Sequence, residues 1–271
     1  MASRKGGAAF FRATFVLWSA SVAFEIAIKR RAELSPVVAG FTFFQAANLV
    51  LRSAVSRDPL FVNTAVSLLH SSITSACVIL ILANQWMIVG IRKMFEHAQL
   101  FDGMWPGAYT TLCFSCGYFA YDQLDMLKCR LYSGRFPLIL AHHLVLLICF
   151  TLALYRRVTI NYLILTLFCE LHSVFLHARK LRRMAGVRDA ENRVVRLEWL
   201  LNWATFFVAR LISHVLITFK LVVDAPMFGE GIELPLAFCG MAGMNLLNFC
   251  LGIDLLKAYR RERRSQQRHQ E

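Results

Sequence analysis

Seven stretches of this chain are apolar over about 20 residues, and this length limits what the chain can fold into. The hydrocarbon core of a bilayer is about 30 Å thick, which a helix of about 20 residues crosses. A helix also satisfies its own backbone hydrogen bonds, as a segment surrounded by lipid must. The sequence therefore predicts seven membrane-spanning helices, which lie at 9–28, 60–83, 107–127, 136–155, 158–178, 199–222 and 234–256.

The composition agrees with a multi-pass membrane protein. Hydrophobic residues make up 57% of the chain and charged residues 17%, and the mean hydropathy is +0.51, so a soluble domain is excluded. A net charge of +13 taken alone could indicate a nucleic-acid partner, but most Lys and Arg flank apolar stretches, as is usual in membrane proteins. We therefore expect an all-α transmembrane bundle with basic loops facing anionic lipid headgroups, and no nucleic-acid partner.

A shorter apolar stretch, 36–51, is about 16 residues long. Because this length falls short of the bilayer thickness, we expect an interfacial or re-entrant helix there. Together with the first span, which we interpret as a retained signal anchor, it forms an N-terminal region at 1–56. Six spans then make up a domain at 57–260, and a basic tail follows at 261–271.

Basic residues predict the orientation of the bundle, because Lys and Arg accumulate on the cytosolic side of membranes. When the C-terminus is placed in the cytosol, most of the loop Lys and Arg residues fall on the cytosolic side. They include the KRR run at 29–31 and the basic loop at 179–196, whereas Arg156 and Arg157 fall outside. The sequence therefore predicts an external N-terminus and a cytosolic C-terminus.

Polar residues recur at a similar depth in six of the predicted spans. The rise of 1.5 Å per helical residue places them roughly 8 to 17 Å from the cytosolic boundary. Ionisable groups in hydrocarbon cost about 2 to 3 kcal/mol or more and mark functional sites by default. We therefore predict a polar chamber in the cytosolic half of the bundle. Its substrate-binding residues are His70, Asp122, Asp125, His172, Arg210, Asn245 and Asn248, and its catalytic residues are His142, His143 and Glu170.

The adjacent histidines His142 and His143 carry the predicted chemistry. Neighbouring helical residues point about 100° apart, so one imidazole faces the chamber while the other orients it. An imidazole whose proton is held by a carboxylate can act as a general base or take up an acyl group. Glu170 lies at matching depth on the next span and is the carboxylate predicted to hold this proton. Glu170 is also the predicted ion-pair partner of Arg210. A metal bound by these residues and His172 is the alternative; we expect none, since adjacent histidines lack the i, i+4 spacing.

Five runs of sequence together resemble the TLC-domain family, which includes translocating-chain-associated proteins and ceramide synthases. The resemblance covers about 57–260 and six of the seven predicted spans, so it implies a six-helix membrane module. The runs are VNTAVSLLHSS (62–72), FSCGYFAYDQLDML (114–127), LAHHLVLLICF (140–150), LILTLFCELHSVFLHARKLRRM (163–184) and NWATFFVARL (202–211).

Within that family the chain resembles the small TLC-domain-containing proteins one and two, and it departs from ceramide synthases. In ceramide synthases the two histidines are followed by a pair of aspartates on the next helix. This chain keeps His142 and His143 but has Cys169 and Glu170 instead, and 158–178 contains no Asp-Asp pair. The departure makes N-acylation of a sphingoid base the least favoured of the functions that the resemblance implies.

The resemblance implies a protein that regulates the fatty-acyl composition of membrane phospholipids and thereby membrane fluidity, at the plasma membrane rather than the endoplasmic reticulum. The residues leave two hypotheses open. In the first, the chamber transfers an acyl group from acyl-CoA to a lysophospholipid, and the basic loops at 128–135 and 179–196 attract the CoA phosphates. In the second, the protein binds lipid or organises the membrane without catalysis. Membrane lipids are the expected partners in both, and no resident cofactor is expected.

Overall fold

The computed structural model describes residues 2–131, 136–187 and 193–270. These described residues form helices joined by turns and short irregular segments, with no strand among them, so the all-α prediction is confirmed. The α-helices are α1 (Ala2–Ala27), α2 (Ser35–Ala54), α3 (Pro59–Met94), α4 (His97–Phe101), α5 (Ala108–Lys128), α6 (Phe136–Arg156), α7 (Ile160–Leu167), α8 (Glu170–Met184), α9 (Arg193–Thr205), α10 (Ser213–Asp224) and α11 (Glu233–Gln270). A π-helix, Phe206–Ile212, joins α9 to α10.

Among the described residues, seven helical segments are long and apolar enough to cross a membrane. The chain is therefore an integral multi-pass membrane protein, as the sequence predicts. The segments are Gly7–Ala27, Ala32–Ala54, Pro59–Met94, Leu138–Arg156, Ile160–Met184, Arg193–Met227 and Glu233–Glu262.

These seven segments differ from the seven predicted spans in two places. The stretch 36–51, expected at the interface, lies within Ala32–Ala54, which is 23 residues long and reaches about 34 Å. The predicted span 107–127 corresponds to α5, which contains Asp122, Asp125 and Lys128 and is too polar to count among the seven. Both differences concern helices that pack against each other in the fold.

The chain divides into two compact units, Met1–Ile164 and Leu165–Glu271. In the first unit, α2 runs parallel to α5 along its length. Gly40 of α2 faces Phe114 near the start of α5, while Arg52 near the end of α2 reaches Cys129, which follows α5. Two glycines, Gly40 and Gly117, let the two backbones approach closely, as small residues do between membrane helices.

Helices α3 and α6 run antiparallel to α5 in the same unit, and their polar contacts follow the order expected of antiparallel neighbours. Ser115 lies 3.2 Å from Thr74 and Asp122 lies 2.7 Å from Asn63 in α3, while Cys116 lies 3.7 Å from Thr151 and Asp122 lies 3.2 Å from His143 in α6. The C-terminal end of α5 therefore meets the N-terminal ends of α3 and α6.

Arg31, between α1 and α2, lies at the same end of the first unit as the last residues of α6. Its guanidinium donates to the backbone oxygens of Tyr155 and Leu154, at 3.0 and 3.1 Å. Arg157 lies 3.4 Å from Glu33 at this end. The expectation that 29–31 and Arg157 lie on opposite sides of the membrane is therefore wrong. The physical reason is that α2 is as long as a spanning helix and reverses the chain once more.

In the second unit, α8, α9 and α11 are joined by an ionic network beside an apolar cluster. The cluster consists of Val195, Trp199, Phe206, Leu255 and Ala258. Trp199 donates from Nε1 to Glu262 at 2.7 Å, and the Arg179 guanidinium lies 4.7 Å from the centre of the Trp199 ring. Arg182 pairs with Glu198. These contacts hold the end of α8 against α9 and α11.

Asn161 at the start of α7 fixes the segment between α3 and α5 through three backbone hydrogen bonds. Its amide donates to the oxygens of Gln99 and Gly103, at 2.6 and 2.9 Å, and its Oδ1 accepts from the Trp105 amide at 3.1 Å. Since stranding buried backbone groups costs about 1–3 kcal/mol, we expect Asn161→Ala to lower the free energy of unfolding by about 2 kcal/mol. Amide hydrogen exchange should accelerate at 99–105.

Asn161→Asp is the matched variant, because it keeps the shape and the Oδ1 acceptor but turns the donor into a second acceptor. It should accelerate the same amides at least as much as Asn161→Ala. Unchanged exchange in both variants would show that Asn161 does not fix this segment.

Candidate functional site

A buried polar cluster lies in the first unit where the end of α5 meets the starts of α3 and α6. His143 of α6 is 7% exposed and Asp122 of α5 is 3% exposed. The Nδ1 atom of His143 lies 3.2 Å from Oδ2 of Asp122, at ion-pair distance but without the alignment of a hydrogen bond. The other oxygen of Asp122 accepts a hydrogen bond from Asn63 of α3 at 2.7 Å.

This pair can hold the imidazole in one tautomer. A carboxylate facing Nδ1 favours the proton on that atom and leaves a lone pair on Nε2 of His143. Asn63 fixes the orientation of the Asp122 carboxylate in turn. A base oriented by a second group, which is itself held by a third, is the arrangement that general-base catalysis requires.

Asp125 has a different environment, because it is paired with a cation. Its Oδ1 accepts from Arg52 at 3.2 Å and from Asn48 at 3.3 Å, and its Oδ2 accepts from Asn63 at 3.2 Å. Asn48 also donates to the hydroxyl of Tyr121 at 2.6 Å. Asn63 therefore bridges two carboxylates, of which Asp125 ties α2 to α5 and Asp122 faces His143.

Aromatic rings lie between His70 and His143 of this cluster. The ring of His70 stacks on Tyr118 with centroids 3.7 Å apart, and the Tyr118 hydroxyl lies 2.9 Å from the Ser67 hydroxyl. The Phe119 ring lies 5.4 Å from both His70 and His143. His142 is half-buried, and its ring centroid is 5.6 Å from that of His143. His70, Asp122, Asp125, His142 and His143 are thus brought together.

The second unit groups three other predicted residues, with Arg210 of the π-helix at their centre. Arg210 donates to Nδ1 of His172 at 3.1 Å and to Oδ1 of Asn248 at 3.3 Å. Asn245, one turn from Asn248 on α11, donates instead to the Thr218 hydroxyl at 2.9 Å. The structure therefore brings the predicted residues His172, Arg210 and Asn248 together, while Asn245 belongs to a separate contact.

The carboxylate partners differ from those expected. In the first unit the carboxylate that faces His143 belongs to Asp122, although the sequence predicted Glu170 for this position. Within the described part of the chain, the groups that accept hydrogen bonds from Arg210 are neutral, and Glu170 is not among them. Glu170 is the first residue of α8, and its catalytic role stays a prediction.

Several residues of the first cluster were not predicted from the sequence. Hydrogen bonds to the two carboxylates come from the side chains of Asn48, Arg52 and Asn63. Gln123 is buried on α5 next to Asp122. Neither polar atom of the Gln123 side chain has a hydrogen-bond partner among the residues that the structure describes. Their signal in the sequence was a polar residue inside an apolar helix, which also occurs in simple interhelical contacts.

No set of three or more His, Cys, Asp or Glu side chains within 2–131, 136–187 and 193–270 is arranged to hold a metal ion.

Comparisons with known proteins match the region of the chain that contains the predicted site residues, which lie between residues 70 and 248. A family model described as the TLC domain matches residues 60–257. TLC domain-containing protein 2 of Danio rerio is 28% identical over 202 residues, which cover 65% of this chain and 77% of the relative. TLC domain-containing protein 1 of Rattus norvegicus is 25% identical over 175 residues, which cover 63% of this chain and 66% of the relative. No solved structure matches the chain.

Proposed function

The chain belongs to the TLC-domain family, and we propose that it regulates the fatty-acyl composition of membrane phospholipids, and thereby membrane fluidity, by histidine-dependent acyl transfer. The pair of His143 and Asp122 carries this proposal, because it is buried, it lies within the matched region 60–257, and it places a carboxylate oxygen 3.2 Å from the imidazole Nδ1. The relatives' names state only that they contain a TLC domain. We place the protein at the plasma membrane with the basic tail, 261–271, in the cytosol.

The proposed reaction transfers an acyl group from acyl-CoA to the hydroxyl of a lysophospholipid. Nε2 of His143 accepts the hydroxyl proton while the hydroxyl oxygen forms a bond to the thioester carbonyl carbon. The carbon–sulfur bond then breaks, and the CoA thiolate leaves and takes the proton back from the imidazolium. Asp122 stabilises the imidazolium while it exists, and it takes the place that the sequence predicted for Glu170, the carboxylate that fixes the tautomer. His142 orients the neighbouring ring or contacts the lipid.

The test is acyl transfer by the purified full-length protein in lipid nanodiscs, with labelled acyl-CoA and a panel of lysophospholipids. We expect labelled phospholipid from the unchanged protein and a loss of about 100-fold or more in His143→Ala, which is the scale of general-base catalysis. Asp122→Asn keeps the shape but removes the charge and should also lower the rate. His97→Ala serves as the matched control, because His97 lies on α4 and outside this cluster.

Each variant is compared by thermal unfolding, so that loss of turnover is separated from loss of folding. Equal turnover in His143→Ala and His97→Ala would contradict the catalytic proposal. One observation favours the alternative, in which the protein binds lipid without turnover. The oxygens of Asp122 and Asp125 already accept hydrogen bonds from Asn63, Asn48 and Arg52, as polar groups that join membrane helices do. No product with any acceptor, together with cellular lipid changes that survive His143→Ala, would support that alternative.

A further inference from the structure

Arg210 holds a positive charge in the middle of a membrane-spanning segment. It is the central residue of the 35-residue segment Arg193–Met227, and it lies in the π-helix Phe206–Ile212. Short π-helical segments occur frequently at functional sites. A guanidinium at this depth is costly unless a counter-ion or several polar groups surround it.

Among the residues that the structure describes, the groups that accept hydrogen bonds from Arg210 are all neutral. In addition to His172 and Asn248, the guanidinium donates to the Ser173 hydroxyl at 2.8 Å and to the Cys169 carbonyl at 3.5 Å. The Cys169 carbonyl lies where the helix is interrupted between α7 and α8, and it also accepts from the backbone amides of His172 and Ser173, at 3.1 and 3.4 Å. Interrupted helices within the membrane are typical of binding sites, where polar backbone groups meet a ligand.

Two of these neutral partners keep a buried donor that nothing in the described part of the chain satisfies. Because Nδ1 of His172 accepts from Arg210, the ring proton is on Nε2, and Nε2 is buried without a partner. Because Oδ1 of Asn248 accepts from Arg210, its Nδ2 amide is a donor, and Nδ2 is also buried without a partner. Both residues are 0% exposed. A buried donor without an acceptor destabilises the fold, and a bound acceptor would relieve this cost.

From this cluster we infer that Arg210, His172 and Asn248 form a binding site for the anionic oxygens of a lipid. A negative charge would compensate the guanidinium and accept from Nε2 of His172 and Nδ2 of Asn248. An anion attached to an apolar chain can enter this depth from the bilayer itself, so we assign the ligand as a fatty-acid carboxylate or the phosphodiester of a phospholipid. The site does not depend on acyl transfer at His143.

Asn248→Asp tests this inference, because it places a carboxylate of nearly the same shape against Arg210. This internal anion should raise the thermal unfolding temperature, and it should lower the affinity for oleate by about tenfold or more, because it occupies the guanidinium and repels a second negative charge. Asn245→Asp is the matched control, since Asn245 lies on the same helix and contacts Thr218 rather than Arg210. Asn245→Asp should neither raise the unfolding temperature nor lower the affinity for oleate.

Binding is measured on the full-length protein in a neutral detergent, at a pH where oleate is ionised, with oleyl alcohol as the uncharged probe. We expect oleate to bind and oleyl alcohol to bind more weakly. Displacement of oleate by dioleoylphosphatidylglycerol would identify the phosphodiester as the preferred group, and its absence would identify the carboxylate. Equal binding of oleate and oleyl alcohol, or unchanged oleate binding in Asn248→Asp, would overturn the inference. His143→Ala should bind oleate normally, so failure of the proposed catalysis remains distinguishable.

Discussion

Replacing Gly117 by leucine should prevent the chain from accumulating as a folded protein. A Cβ atom at Gly117 would collide with the backbone oxygen of Val37 and lie 2.7 Å from the backbone nitrogen of Phe41. Both atoms belong to the backbone of α2, so a rotamer change cannot relieve the collision. Overpacking within a core costs about 1–3 kcal/mol when side chains can adjust, and more when a backbone must move. We expect more than about 3 kcal/mol here, measured as lost monodisperse protein and a lower unfolding temperature.

The same substitution at Gly243 is the matched control. Gly243 lies within α11 and is exposed, and none of the residues that the structure describes comes within 4 Å of the position that a Cβ would occupy there. Leucine is a better helix former than glycine by up to about 1 kcal/mol, so Gly243→Leu should fold at least as well as the unchanged protein. If Gly117→Leu and Gly243→Leu gave equal yields and equal unfolding temperatures, the close packing of α2 against α5 would be refuted.

The sequence predicted the fold class because hydrocarbon thickness and helix rise leave little freedom to a run of about 20 apolar residues. It failed at α2, where the apolar run of 36–51 was too short by that measure. The helix gains length at its start, where Ala32–Leu34 forms a 3₁₀ turn that leads directly into it. Glu33 of this turn pairs with Arg31 at 3.1 Å. A mean hydropathy counts Glu33 as a full charge, because it takes no account of the neighbouring Arg31 that compensates this carboxylate.

This difference at α2 also changed the predicted orientation. Counting basic residues assigns successive loops to alternating sides of the membrane. An added crossing at α2 therefore reverses the sides of the loops that precede α2 relative to the loops that follow it. The contacts of Arg31 with Leu154 and Tyr155 place residue 31 at the end of the unit where α6 finishes. Such a contact between distant parts of the chain has no counterpart in a count of loop charges.

The candidate site was predictable in depth but not in rotation about each helix axis. Residue counting placed His143 and Asp122 at similar heights, and the structure brings these two side chains together. Glu170 was favoured as the partner because it had a matching depth on the adjacent span. Depth alone does not determine which face of a helix carries a residue. Asn63 shows the same difficulty, since an amide in an apolar helix indicates an interhelical contact but not its partner.

The second large effect is expected from the buried Asp125, whose removal would leave the partly exposed Arg52 cation without its counter-ion. Asp125→Ala strands one donor each from Arg52, Asn48 and Asn63. Breaking a buried ion pair by removing one partner costs about 3–5 kcal/mol, because the remaining charge is uncompensated. The Arg52 side chain is 31% exposed and retains its hydrogen bonds to Asn48 at 2.7 Å and to Cys129 at 3.0 Å, so we expect no more than about 3 kcal/mol, the lower end of that range.

The double variant Arg52→Leu with Asp125→Leu separates loss of the pair from loss of either residue. The double variant removes both charges and fills the space with apolar side chains. Its destabilisation should therefore be smaller than the sum of those of Arg52→Leu and Asp125→Leu, with a coupling of about 1–3 kcal/mol. Arg157→Ala is the control for an exposed pair, since Arg157 is 57% exposed beside Glu33, and it should leave the unfolding temperature unchanged. Strictly additive effects of Arg52 and Asp125, measured by equilibrium unfolding in the same detergent, would mean that this ion pair does not hold α2 against α5.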